Sequence, residues 1–178
     1  NDMTKPVIEE GKDHNHFGYR SIYSQLNEFE QYSDTINFEF AYLQAIDLKN
    51  QLNLRSLEGD FQYCNKSMTL AKMNLKTNKS LIRDSIRLNY PSPNALKYFV
   101  DSVSFFVNFD SSFIYSDEIA LFAPTIKHLD QLYAVSGQLK GTVGDLTAKN
   151  IDLRFGKNTS INGDFSFFGL PKIRETFI

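Results

Sequence analysis

Residues 150–169, NIDLRFGKNTSINGDFSFFG, alternate apolar and polar side chains on both sides of a short polar segment. The apolar positions are Ile151, Leu153, Phe155, Ile161, Phe165 and Phe167. Successive side chains of a strand point to opposite faces, so each half of the stretch is a strand with one apolar and one polar face. Residues 156–160 are turn formers and join the two strands in a hairpin. This hairpin has an apolar face that must be buried against another part of the protein or against a ligand.

The same period of two continues through most of the chain from Phe17 onward. We predict about ten short strands in a meandering antiparallel sheet. Turns are expected at residues 59–60 and 110–112, and residues 90–93 (YPSP) must end a strand. Met68 and Leu70 have the opposite parity to Met73 and Leu75, which predicts a bulge or tight turn near residues 71–72.

Helix signals are few. Residues 94–100 (NALKYFV) start with a capping Asn, and residues 124–134 (PTIKHLDQLYA) start with Pro and have apolar residues at a spacing of three or four. We therefore predict one or two short helices in a mainly β chain. Residues 21–30 fit either a helix or a strand.

Composition excludes several classes of protein. The 178 residues have 42% hydrophobic content and a formal net charge of −2, which favours neither a disordered chain nor a general nucleic-acid binder. No polybasic cluster is present, and no apolar run approaches the ~18 residues of a membrane span. Cys64 has no partner for a disulfide within this chain and is predicted to be a half-buried strand residue.

Motifs for catalysis are missing. The glycines fit neither a dinucleotide fingerprint nor a P-loop, and no serine lies in a nucleophile elbow. His14 and His16 could share a face in an extended segment, but no further metal ligands stand near them in sequence. We therefore predict that the chain is not an enzyme and takes no cofactor or metal.

A loose internal repeat is visible in two Gly-Asp segments. Residues 59–63 (GDFQY) and 163–167 (GDFSF) share the order Gly, Asp, aromatic, polar, aromatic. Both are expected to follow turns, with the carboxylates in water.

The apolar face of the sheet can be covered in three ways. The sheet can fold on itself into a sandwich or closed barrel, short helices can cover it, or it can curl into a trough that receives an apolar ligand. An exposed Phe or Leu costs roughly 1.5–3 kcal/mol relative to burial, so some cover is required.

Residues 116–178 resemble the TamB branch of the AsmA-like envelope proteins. The matching features are Phe122-Ala123-Pro124, Ser136-Gly137-x-Leu139-x-Gly141-Thr142-Val143, Leu146, Asn150-Ile151-Asp152-Leu153, Gly156-x-x-Thr159, Ile161-x-Gly163 and Gly169-Leu170-Pro171. The resemblance implies a curved antiparallel sheet, a β-taco or half-pipe with a continuous apolar inner groove. It also implies an internal segment of a longer protein that is anchored in the inner membrane by a part absent here.

The resemblance further implies a non-enzymatic segment of a lipid conduit in the periplasm. Such a segment would bind phospholipid acyl chains for transport to the outer membrane and for outer-membrane biogenesis, beside an outer-membrane β-barrel protein and neighbouring segments of its own chain. On this view the groove is lined by Val103, Phe105, Val107, Ile151, Leu153, Phe155, Phe165 and Phe167. In an ordinary closed core the same residues would be buried.

Two alternatives to the conduit stay open. The chain could be a structural or docking module that pairs through its sheet edges, with an edge-strand dimer expected in isolation, or a lipid carrier with a closed pocket. In each case residues 1–16 are predicted to be a polar lead-in, and residues 17–178 a single β-rich domain.

Overall fold

The structure is a computed structural model that describes residues 18–47, 52–120 and 129–169. The alternating segments form nine strands. They are β1 (Tyr19–Tyr32), β2 (Thr35–Asp47), β3 (Leu54–Cys64), β4 (Ser67–Lys76), β5 (Leu81–Asn89), β6 (Ser104–Tyr115), β7 (Leu132–Gly141), β8 (Asp145–Phe155) and β9 (Thr159–Phe168). The lead-in predicted at residues 1–16 lies outside the described residues.

The nine strands form one antiparallel sheet in which spatial order follows chain order from β1 to β9. The sheet is curved and does not close, so β1 and β9 are its two edges. Substantial contacts between described strands join only neighbours in the sheet. This single layer confirms the predicted mainly β fold, and it excludes the sandwich and the closed barrel as arrangements of the nine strands.

The strand connections alternate between two sides of the sheet, which we call rims. The first rim carries the connections after β1, β3, β5 and β7, and the second rim those after β2, β4, β6 and β8. Most connections are short because adjacent antiparallel strands need only a few residues to reverse direction. The two long ones are residues 90–103 on the first rim and residues 116–131 on the second.

Residues 94–100 form the helix that the sequence predicts. A 3₁₀ helix, Pro93–Tyr98, is followed by α1, Phe99–Ser102, and a further single turn, α2, spans Ser116–Ile119. The helix predicted over residues 124–134 is wrong in its C-terminal part, because Leu132 begins β7; residues 121–128 lie outside the described residues. Residues 21–30 belong to strand β1.

Two predicted turns are also wrong. Residues 59–60 lie inside β3, and residues 110–112 lie inside β6. At both places the strand continues through a register shift, in the manner of a β-bulge, rather than reversing. The bulge predicted at residues 71–72 is confirmed, since the pairing of β4 with β5 shifts between Leu70 and Met73.

The most buried apolar cluster lies under residues 90–103, which we call the roof. Tyr90, Ala95 and Val103 are buried together, and Val103 is fully inaccessible to solvent. They pack on side chains of three neighbouring strands, namely Tyr63, Met68 and Leu88, with Leu96 of the roof itself. The Tyr90 hydroxyl donates a hydrogen bond to the Cys64 carbonyl at 3.0 Å, which fixes the roof to the turn beside it.

Within the described ranges, no helix combines the length and the apolar character needed to cross a bilayer.

Candidate apolar trough

The two faces of the sheet are distinguished by the cross-strand register. Phe105 of β6 lies opposite Leu88 on one side and Gly141 on the other. The adjacent Phe106 lies opposite Arg87 and Lys140. Because paired residues share a face, Phe105 belongs to an apolar face and Phe106 to a polar face.

The apolar face runs from β2 to β9 without a break. Its cross-strand rows include Phe38–Phe61–Leu70–Ile86–Val107–Leu139–Ala148–Phe165. Neighbouring strands are ~4.8 Å apart, so the eight strands from β2 to β9 span about 34 Å. This distance exceeds the ~30 Å hydrocarbon core of a whole bilayer, and an acyl chain needs about half of that core.

Seven of the eight residues predicted to line a groove lie on this face. Val107 and Ile151 are buried, and the others in β6, β8 and β9 are half-buried, namely Phe105, Leu153, Phe155, Phe165 and Phe167. The eighth, Val103, precedes β6 and is enclosed in the roof cluster. Its side chain packs the roof onto the sheet and offers no surface to a ligand.

The sequence-based groove list omitted an aromatic group on β2 and β3. The ring of Phe38 lies 4.8 Å from the rings of both Phe40 and Phe61, and Phe29 of β1 stacks on Phe38 at 6.4 Å. The signal that finds them is the alternation Ile36, Phe38, Phe40. These aromatic side chains extend the apolar face almost to the β1 edge.

A line of irregular backbone crosses the sheet at one level. Positive φ angles occur there in seven successive strands, at Gly59 (144°), Lys72 (48°), Asp84 (97°), Ser111 (47°), Gly137 (122°), Asn150 (51°) and Gly163 (151°). We call these seven residues the seam. The strand pairings shift register beside them, and β-bulges bend strands and increase their twist. A row of bulges at one level therefore folds the whole sheet along a line perpendicular to its strands.

The seam requires glycine where two strands approach closely. A Cβ atom on Gly59 would lie 2.7 Å from the Ala71 carbonyl oxygen, and one on Gly137 would lie 2.7 Å from the Asn150 carbonyl oxygen. Both glycines also have a φ that L residues rarely adopt. The seam residue is glycine in β3, β7 and β9, but it is Asp84 in β5. Asp84 also has a positive φ, and its carboxylate accepts a hydrogen bond from the Asn108 side-chain amide.

The two Gly-Asp segments of the internal repeat both lie at the seam. Asp60 pairs with Lys72 of the neighbouring strand at 2.9 Å, and Asp164 pairs with Lys149 at 2.9 Å. Asp164 also accepts a hydrogen bond from the Asn150 backbone N–H at 2.8 Å. The hydrogen bond from the Asn150 N–H is the larger cause, and the one from Lys149 is the next, of a pKa of Asp164 that lies below its ordinary value. The repeat is therefore a bulge motif and not a turn motif.

Burial at the seam indicates which way the sheet bends. The seam residues Lys72, Ser111 and Asn150 are exposed, yet the residues that follow them are buried. Those buried residues are Met73 (6% exposed), Ser112 (0%) and Ile151 (8%), all on the apolar face. Side chains crowd together on the inside of a bend, so the apolar face lines the concave side. The result is a trough with the seam as its floor and the two rims as its upper margins.

The trough is covered unevenly. The roof packs on β3, β4 and β5 near the first rim. On the second rim, the buried carboxylate of Glu118 in α2 accepts hydrogen bonds from the Thr77 hydroxyl and the Lys79 backbone N–H, which ties the start of the β6–β7 connection to the β4–β5 turn. Among the described residues, the roof cluster contains no side chain of β7, β8 or β9. We call β3–β5 the roofed strands and β7–β9 the open strands.

Other candidate chemistry is sparse in the part of the chain that the structure describes. Cys64 is half-buried at the end of β3, as predicted, and a hydrogen-bonding contact with the Ser67 hydroxyl at 3.1 Å is the main cause of its lowered pKa. No three His, Cys, Asp or Glu side chains converge within the described ranges in a way that could hold a metal ion. His14, His16 and His128 lie outside those ranges.

Comparison of the chain with family models, with curated proteins and with solved structures gives no match. The resemblance to the TamB branch stays a prediction from sequence.

Proposed function

We propose that the chain is a segment of a lipid conduit whose trough holds phospholipid acyl chains. The observation that carries the proposal is the continuous apolar face on the concave side of an unclosed, single-layered sheet. Each buried methylene is worth ~0.8 kcal/mol, so an acyl chain of ~14 carbons gains roughly 11 kcal/mol before ordering costs. Hydrophobic contact has no preferred direction, which lets a bound chain slide along the floor.

Within the described residues, β1 and β9 each pair on one side only, which supports a place within a longer sheet. Neighbouring segments of the full-length chain would add strands at β1 and β9 and so extend the trough. In this proposal the conduit lies in the periplasm, carries lipid toward the outer membrane and meets an outer-membrane β-barrel protein at one end, as the TamB resemblance implies. Any energy for transport comes from other proteins, since the segment acts without catalysis.

Adjacent residues of β6 give a matched test of lipid binding. Phe105→Glu places a charge in the trough, whereas Phe106→Glu places the same charge on the polar face between Arg87 and Lys140. The 178-residue chain is purified from the bacterial periplasm without detergent, and co-purified lipid is extracted and measured by mass spectrometry. We expect the native chain and Phe106→Glu to carry phospholipid and Phe105→Glu to lose most of it.

Circular dichroism separates loss of lipid from loss of fold in the same experiment. Phe105 is half-buried and lies outside the roof cluster, so the Phe105→Glu variant is expected to keep its β spectrum. A native chain that carries no phospholipid would contradict the conduit, and so would equal lipid content in both variants.

A docking module is the second candidate, and strand β1 favours it. Its exposed apolar side chains include Ile22 (59%), Tyr23 (64%) and Phe29 (61%). The strand contains neither Lys nor Pro, and its protection as an edge is limited to Arg20, Glu28, Glu30 and the register shifts of its pairing with β2. Under this hypothesis the isolated chain dimerises through β1, and Tyr23→Lys with Leu26→Lys returns it to a monomer in light scattering. A native chain that is monomeric at every concentration would contradict edge pairing.

A further inference from the structure

Three consecutive apolar side chains project from the roof into solvent. Tyr98 is 67% exposed, Phe99 40% and Val100 41%. Their neighbours in the same segment, Ala95 and Val103, are buried in the roof cluster. The segment is therefore anchored from below while its apolar tip faces outward.

We propose that residues 98–100 insert into the surface of a phospholipid bilayer. Tyr and Phe are the side chains that favour the boundary between headgroups and acyl chains, where the ring is in an apolar layer and the hydroxyl stays wet. The exposed Lys97 beside them has an apolar stem that can lie along this layer while its ammonium reaches the phosphates. A helical turn of this size is enough for a shallow interfacial anchor.

The size of the patch favours a bilayer over a protein partner. Aromatic side chains bury 150–250 Å² each, so three partly exposed apolar side chains offer roughly 300 Å². A stable protein interface buries about 800 Å² on each partner, and a bilayer needs no matching shape. The chain as a whole has a net charge of −2 and Lys97 is a single exposed cation, so binding comes mainly from apolar contact.

The same rim carries further exposed aromatic side chains. Tyr32 at the end of β1 is 69% exposed, and Phe168 at the end of β9 is 48% exposed. Both strands end on the first rim, as does β5 before the roof. Tyr32 and Phe168 lie on the polar face and the roof lies over the apolar face, so the three sites flank this rim from both faces. Together they would let the rim rest on a bilayer, where lipid enters the trough; that last step alone rests on the proposed function.

The chain has no Trp, so the fluorescence of one introduced Trp reports the environment of that position alone. In the full chain, Phe99→Trp places one indole at the tip. We expect its emission to shift to the blue with phosphatidylcholine vesicles and to be quenched by lipids brominated on the acyl chains. Raising the salt concentration should change neither signal much, because charge does not drive the contact. An emission that vesicles leave unchanged would overturn the proposal.

Paired variants locate the contact by vesicle co-sedimentation. Tyr98→Ser with Phe99→Ser should weaken partitioning about 100-fold, whereas Leu129→Ser with Leu132→Ser, exposed side chains on the second rim, should leave it within about twofold. Equal loss in both pairs, or loss only in the second, would overturn the proposal. The amount of phospholipid that co-purifies in the trough should be the same in both pairs. Co-sedimentation therefore tests the rim contact, and co-purified phospholipid tests the conduit.

Discussion

The roofed strands and the open strands have the same alternating sequence pattern but differ in what covers their apolar face. In β3–β5 the apolar face carries the roof, and Val103 above it is fully buried. The side chains beneath the roof, Tyr63, Met68 and Leu88, are half-buried, and so are Leu153, Phe165 and Phe167 in β8 and β9. Among the described residues, the buried roof cluster lies above the first group only. The difference follows from the path of one connection, because residues 90–103 return over the apolar face and pack on it, whereas the β7–β8 and β8–β9 turns are too short to do so. Alternation thus predicts an apolar face, and the packing of a connection on that face decides where a buried cluster forms.

The greatest loss of stability is expected from a charge under the roof, and the same charge in the open strands should cost far less. Val103→Asp buries an unpaired carboxylate and should lower the free energy of unfolding by about 3–5 kcal/mol. Phe165→Asp, with the same new group at the edge of the open strands, should cost about 1 kcal/mol or less because water still reaches it. Urea unfolding followed by circular dichroism measures both. Similar losses would mean that the open strands have a closed core as well.

The second effect tests what holds the open strands in place of a core. Gly137→Ala should cost about 1–3 kcal/mol, since the methyl group would meet the Asn150 carbonyl at 2.7 Å and φ is 122°. Gly163→Ala has a positive φ too, but its nearest contact would be a Phe165 ring atom at 3.6 Å, so its cost should be smaller. Thermal unfolding gives the order. If Gly163→Ala proves the more damaging variant, close approach at the seam is not what fixes these strands.

The smallest effect is a response to acid at Asp164 in the open strands. The pKa of Asp164 is lowered in the folded chain, so the unfolded chain binds its proton first as the pH falls. Its contribution to stability is therefore present at neutral pH and is lost as the pH drops below about 4. The roof cluster contains no carboxylate and should not respond. Amide hydrogen exchange at Asn150 is the measurement, with exchange at Tyr90 as the internal reference.

A matched variant assigns that acid response to one group. Asp164→Asn keeps an acceptor for the Asn150 N–H but has no charge for Lys149 and does not titrate. Exchange at Asn150 in this variant should be nearly independent of pH after correction for the intrinsic rate. A pH dependence that persists in Asp164→Asn would assign the response to another carboxylate.

Local patterns predicted the strands and misread their irregularities. The alternation at residues 150–169 gave the β8–β9 hairpin, and the parity change after Leu70 gave the bulge in β4. Gly59-Asp60 was interpreted as a turn because glycine followed by aspartate favours a reversal in an isolated segment. Here Gly59 is flanked by β2 and β4, which pair with β3 on both sides of it, so the chain continues. Sequence alone does not show that such sites fall at one level in successive strands.

Side-chain direction in a strand alternates whatever its neighbours are, so residue order was sufficient to predict antiparallel strands with one apolar face. It also placed seven of the eight predicted groove residues on that face. Three features could not be predicted in this way: Val103 is enclosed, the bulges align into a seam and the sheet stays unclosed. Those outcomes depend on register between strands distant in sequence, and register is set by the packing of the whole sheet.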